Sequence, residues 1–283
     1  MASVDMTHPD PDSVPVRDAA TVVVVRQGDA GIQVCMLQRN LQSDFVGGAY
    51  VFPGGAVDPG DDDPLYRDLL VDAESIGSGP GGDDLRFRVA AARESFEEAG
   101  ILFARSTSGG TVALSDPSLA SRFHQHRLDV DSGRRQLFEI CVEEHLSLEL
   151  SSMSYLSRWV TPRGAHRRYD TRFFVAEAPV GQEALHDDKE VIDTIWISPE
   201  DALEDSRSGR RTMIFPTVRT MALLNQFDEV TQLLEYMSTI DEVPTIEPVM
   251  TVVEDRLELE LPGDPEGVGG RYDALSGDPL SAS

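Results

Sequence analysis

The chain has 283 residues, 40% of them hydrophobic and 26% charged, which is enough to bury a sizeable core. Its 50 acidic and 24 basic residues give a formal charge of −26. That excludes broad binding to nucleic acid or an anionic membrane, because both need a sustained positive surface.

Residues 1–18 are polar and rich in Asp and Pro, and read as a disordered arm. AATVVVVR (19–26) and IQVCMLQR (32–39) flank a short turn and predict a hairpin, with Cys35 in its core. AYVFPGG (49–55) is a short strand running into a proline–glycine turn. PLYRDLLVDA offers one helical turn before the loose run GSGPGGD, and LRFRVAAARESFEEAG (85–100) is a helix stopped by Gly100. Residues 116–150 read as mostly helical. SRWVTP (157–162), TRFFVAEAP (171–179) and VIDTIWI (191–197) are strands. Ser198 and Pro199 then start a helix as its cap and first residue. Two more helices follow, then MTVVEDRLELEL as a hairpin. Strands and helices mix without regular alternation, so the fold class expected is α+β.

The helix at 85–100 carries the chemistry. With Glu94 as zero, Glu97 falls near 300° and Glu98 near 40° at about 100° per residue. Leu85, Val89, Ala92, Phe96 and Ala99 lie opposite. Three carboxylates on one face repel one another, and the helix C-terminus disfavours anions. Arg93 or a hard divalent cation can compensate, and oxygen donors suit Mg²⁺ or Mn²⁺. The same acids also suit a plain solvated face in so acidic a chain.

PGGAVDPGD (53–61) and RESFEEAG (93–100), taken in order, resemble the signature box of the Nudix hydrolases. Gly55 starts the box, Asp61 stands where its first Glu belongs, and Arg93, Glu94, Glu97, Glu98, Gly100 and Ile101 match its second half. The chain departs from the box at Asp61, at Ser95, and in spacing. Asp61 and Arg93 are separated by 31 residues, 24 more than in the box. The resemblance implies an α/β/α sandwich around a mixed sheet, and Mg²⁺- or Mn²⁺-dependent hydrolysis of a diphosphate. It implies Glu94, Glu97, Glu98 and Asp61 as metal ligands, with Glu97, Glu94 and Arg93 as the catalytic set. Gly54 and Gly55 would let the backbone approach metal or phosphate. Glu190, just before VIDTIWI, is a candidate for the extra carboxylate that Nudix enzymes often place there, or else a solvated loop acid.

The long spacing, the helical segment after it and the strands that follow are similar to the branch of peroxisomal coenzyme A diphosphatases. Coenzyme A or an acyl-CoA is therefore the expected substrate. ADP-ribose or nucleotide sugars are alternatives, as is a Nudix-fold module that binds such a ligand without cleaving it. RGAHRRYDTR (163–172) sets Arg163, Arg167, Arg168 and Arg172 against one Asp, as a phosphate clamp or as ion-pair partners of surface acids.

Domain boundaries are expected at 19–239 for the Nudix domain and 240–283 for a C-terminal extension. Within the domain, the box (55–101) carries an inserted loop at 62–84, and a helical insertion that could cover the substrate spans 116–150. His124-x-His126 lies in a helix that points the two rings apart, so no metal site is expected there. Arg207, Arg210 and Arg211 read as a solvated loop. Two cysteines are too few for a disulfide framework. No run has the apolar core of a signal peptide or the length of a bilayer span, and PLSAS is no peroxisomal address. A cytoplasmic protein is expected, acting on a small molecule without nucleic acid or membrane partners. The sequence admits a homodimer without specifying one.

Overall fold

The computed structural model describes residues 10, 13–41, 47–76, 84–114, 116–184, 191–243, 245–254, 256–261, 270–274 and 276–280. Most of the expected N-terminal arm, part of the inserted loop and Glu190 lie outside these residues. Strands β1 (Val16–Gly28) and β2 (Gly31–Arg39) form the expected hairpin around Asp29–Ala30. β1 begins inside the segment read as an arm. Next come β3 (Tyr50–Val51) and β4 (Gly54–Ala56), a 3-10 turn at Pro59–Asp62, α1 (Leu65–Asp68) and α2 (Leu85–Ala99). The helical insertion contains α3 (Pro117–Asp131) and α4 (Leu137–Glu143), flanked by β5 (Ala104–Ser106) and β6 (Leu146–Leu148). β7 (Ser154–Val160), β8 (Arg168–Glu177) and β9 (Val191–Ile197) precede α5 (Pro199–Arg207), α6 (Phe215–Leu224) and α7 (Val230–Ser238). The chain closes with β10 (Thr245–Ile246), β11 (Val249–Val253), β12 (Arg256–Glu260) and β13 (Arg271–Asp273).

The main sheet is mixed and runs β10-β7-β8-β1-β2-β3, with β4 also beside β1 and β9 beside β2. β1 is its axis. It pairs in parallel with β8 from Val16↔Arg168 to Val25↔Glu177, yet meets β2 only from Val25↔Val34 to Gly28↔Gly31. The two strands then part. β3 takes the free side of β2 (Leu37↔Val51), and β4 takes the free side of β1 (Thr21↔Gly54 to Ala19↔Ala56). The Pro53–Gly54–Gly55 turn therefore sits in the split, tied in by the Val22 N–H donating to Pro53 O at 2.9 Å.

Val22–Val25 is an unbroken apolar run because both faces of the sheet are covered. Val22 and Val24 join Phe174 and the α2 residues Phe87, Ala91 and Phe96 in one core. Val23 and Val25 join Met221, Leu224, Leu233 and Met237 of α6 and α7 in the other. Trp159 packs in this second core, whereas Trp196 lies under the Arg26 guanidinium, 4.1 Å from the ring centroid. Among the described residues no helix is long and apolar enough to cross a membrane.

The two insertions pack on each other. Tyr66 of α1 is fully buried and meets Phe138 of α4 edge-on, with ring centroids 5.6 Å apart. The Leu148 N–H donates to Leu69 O at 2.7 Å, and the Val71 N–H donates to Leu148 O at 3.0 Å. Gly60 lies so close to Gln136 Oε1 that a Cβ there would overlap it. Phe123, Val130, Leu137 and Ile140 are buried, so residues 116–150 pack into the core through one face. Tyr66→Ala removes the ring that joins the two segments and should cost about 3–5 kcal/mol. Chemical denaturation measures the loss, and new protease sensitivity within 62–76 would mark the released loop.

Candidate active site

The α2 helix presents the site because each end is fixed. The Asp84 side chain accepts from the Arg86 N–H at its start. At its end Gly100 adopts a left-handed conformation (φ 68°), which glycine tolerates best. The Gly100 N–H donates to Phe96 O and the Ile101 N–H to Ser95 O. Midway, Arg88 is buried and donates to Leu150 O and Met153 O, which anchors the helix to the chain before β7.

Arg93 organises the acids. Its Nε donates to Asp61 Oδ1 at 2.9 Å and its Nη2 to Asp61 Oδ2 at 3.0 Å, a two-pronged fork. The same Nη2 reaches Ala56 O at 2.9 Å, and Nη1 donates to Glu94 Oε1 at 3.0 Å and Glu97 Oε2 at 3.1 Å. The inserted loop therefore leaves Asp61 within reach of the helix. The 3-10 turn helps, since Asp61 Oδ2 also accepts the Asp58 N–H at 2.8 Å.

This geometry gives Asp61 a role in holding Arg93. Its side chain has no exposure, and both oxygens are taken by Arg93 and the Asp58 amide. It therefore serves as a counter-ion of Arg93.

Glu94, Glu97 and Glu98 line one face of α2, as the helical wheel predicts. Glu98 Oε2 accepts the Gly54 N–H at 2.9 Å, and the Glu94 carboxylate lies where a Cβ on Gly55 would be. The two glycines thus bring bare backbone against the carboxylates. The Glu97 carboxyl is pushed up to about 7, first by burial and then by Glu94, although Arg93 pulls the other way. Crowded, largely buried hard oxygens whose repulsion Arg93 offsets only at Glu94 and Glu97 fit a Mg²⁺- or Mn²⁺-type cation. Among the described residues the three carboxylates do not converge on one point, because Glu94 and Glu97 lean onto Arg93 and Glu98 onto Gly54.

Two of the arginines considered for a phosphate clamp face an acid. Arg168 is buried, with its Nε on Thr161 O at 3.0 Å and its Nη2 on Glu247 at 2.7 Å, so it ties β8 to the C-terminal segment. Arg163 also faces Glu247, at 3.9 Å. The Arg172 guanidinium stacks 3.7 Å from the Phe87 ring centroid, against the first half of α2. Arg167 is exposed at the head of β8. The loop arginines Arg210 and Arg211 are held by Asp205.

Two residues with no motif signal shape the site. Gln182 is buried and brackets the chain after the helix, its side chain bonded to Leu102 N–H, Leu102 O and Val112 O. Arg127 of α3 donates to Glu97 O at 2.7 Å. His126, with Glu143 and Glu144, forms a second cluster, its possible ligand atoms all within 4.8 Å of one another. Arg122 and Arg135 already neutralise those carboxylates, so the group is self-compensated.

Asp61→Asn removes one of the three carboxylates paired with the buried Arg93 and should cost up to about 3–5 kcal/mol, measured by urea unfolding. For Glu97, whose folded pKa lies above its ordinary 4.5, the folded state holds the proton more tightly. Stability of the metal-free protein should fall as pH rises from about 4.5 to about 7 and stay lower above that. Glu97→Gln should flatten this decline, and parallel unfolding-versus-pH curves for the two proteins would remove the assignment.

Comparison with known proteins agrees with this geometry. The chain matches the NUDT19 Nudix domain over residues 71–223, from inside the inserted loop to the end of α6. It is 27% identical over 276 residues to the acyl-coenzyme A diphosphatase NUDT19 of Gallus gallus, covering 84% of this chain and 73% of that one. The Homo sapiens protein of the same name is 26% identical over 273 residues, covering 83% and 72%. Among solved structures, a NUDIX hydrolase from Alicyclobacillus acidocaldarius superposes with a TM-score of 0.67 at 26% identity, covering 82% of this chain and 100% of that one. The α/β/α arrangement, the carboxylate-bearing helix and these matches agree: the chain belongs to the NUDT19 Nudix domain family of hydrolases.

Proposed function

We propose that the protein hydrolyses the diphosphate bridge of coenzyme A or an acyl-coenzyme A, using Mg²⁺ or Mn²⁺ held by Glu94, Glu97 and Glu98. The observation that carries this reading is the meeting of Glu98 and Glu94 with the bare backbone of Gly54 and Gly55. There a diphosphate can lie close to both main chain and cation. The choice of coenzyme A follows the relatives that carry the name acyl-coenzyme A diphosphatase.

Water adds across one P–O–P linkage, so two phosphomonoesters leave and no other reactant is consumed. A cation held by Glu94 and Glu98 would supply the positive charge that offsets the phosphoryl oxygens' repulsion of the incoming water. Glu97, on the same helix face as Glu94 and Glu98, is suited either to complete the cation's ligands or to orient that water. Arg93 acts through the carboxylates: it fixes Glu94 and Glu97 while anchored to Asp61. The cytoplasmic setting is part of the same proposal, tested by cell fractionation.

Purified protein with Mg²⁺ or Mn²⁺ should turn over coenzyme A and acyl-coenzyme A faster than ADP-ribose, nucleotide sugars or dinucleoside polyphosphates. Binding without turnover on every one of these would reject the hydrolytic reading. Glu98→Gln should lower kcat by about 10²–10³-fold, the loss of several kcal/mol of charge stabilisation. Stability should hold or rise, because the amide keeps an oxygen for the Gly54 N–H and removes a repulsion.

A further inference from the structure

The last carbonyls of a helix have no partner within it. In α2, the turn at Gly100 takes up Ser95 O and Phe96 O. Glu97 O is met from outside, by Arg127 Nε at 2.7 Å. Arg127 comes from α3 in the helical insertion and is 5% exposed, among the most buried charged residues of the chain. Its bond is to backbone, so it fixes the turn and not a side-chain rotamer. That turn carries Glu97 and Glu98. A guanidinium at the negative end of the helix also offsets the dipole that disfavours anions there. The cleft around Arg127 is lined by Phe96 and Phe123, whose packing holds α3 against α2.

We propose that Arg127 is a positioning residue: by holding the Glu97 carbonyl it sets the last turn of α2 so that Glu97 and Glu98 can receive the cation. The helical insertion is then a working part of the metal site. This rests on reading Glu94, Glu97 and Glu98 as the cation's ligands.

The test is Mn²⁺ binding to the metal-free full-length protein, followed by the electron paramagnetic resonance of free Mn²⁺, with steady-state kinetics on coenzyme A alongside. Arg127→Gln should weaken Mn²⁺ binding about 10-fold or more, as loss of a ligand-orienting contact does. It should lower kcat with KM changed by less than about threefold. Arg127→Lys, which keeps a charged donor, should recover part of both. Phe123→Leu is the control, since it loosens the α2–α3 packing without touching the carbonyl. A folded Arg127→Gln protein with wild-type Mn²⁺ affinity overturns the inference. So does a Phe123→Leu protein that loses as much Mn²⁺ affinity at an equal drop in Tm. If Arg127→Gln and Arg127→Met both fail to fold, Arg127 is a folding residue and the positioning role is likewise rejected. Wild-type protein that binds no Mn²⁺ takes down the metal reading itself, whereas binding indifferent to Arg127 takes down this inference alone.

Discussion

A single buried guanidinium holds the site together. Arg93 spends its five N–H groups on Asp61, Glu94, Glu97 and the Ala56 carbonyl, and so binds the turn before the inserted loop to the helix after it. Burial opposes its charge, but the surrounding carboxylates hold its proton more firmly than in water. Partners on both sides of the insertion make this ion pair a clasp. Without it, the box would be two separate acidic segments. With it, Glu94 and Glu97 are kept in place on a helix end that would otherwise disfavour them.

The sheet supplies the other half of the constraint. β1 and β2 separate after four residue pairs, and the chain from Tyr50 to Ala56 fills the gap by changing partner from β2 to β1. A crossing of this kind needs a sharp turn at close quarters. Gly54 fits it: a Cβ there would strike Ala20 O and Thr21. The backbone amide delivered by that turn is the one that meets Glu98.

Much of this was legible in the sequence because it is periodic or local. The apolar stripe of α2, its stop at Gly100 and the Arg93–Glu97 pair follow from helical spacing, and Ser198–Pro199 from capping chemistry. The role of Asp61 was not legible. Its place in the box could be read, but only the fold shows that this short carboxylate meets the fork of Arg93. The arginines at 163–172 left a phosphate clamp and ion pairing with acids equally open, for a related reason. Their density suggested a cluster, yet the partner of Arg168 is Glu247, a contact 79 residues along the chain. Arg127 and Gln182 left no trace, because their partners are backbone carbonyls and amides that carry no residue identity.

The contact between the two insertions bears on how such a chain can change over time. Tyr66 fills its place against Phe138, and Gly60 is shaped around Gln136. Neither segment presents a finished surface without the other. Shortening one alone would expose apolar side chains on the one that remains. A deletion or graft that keeps both surfaces covered therefore takes the two segments together. A lineage that holds the pair keeps a longer route between the halves of its signature motif as the condition for keeping the helices.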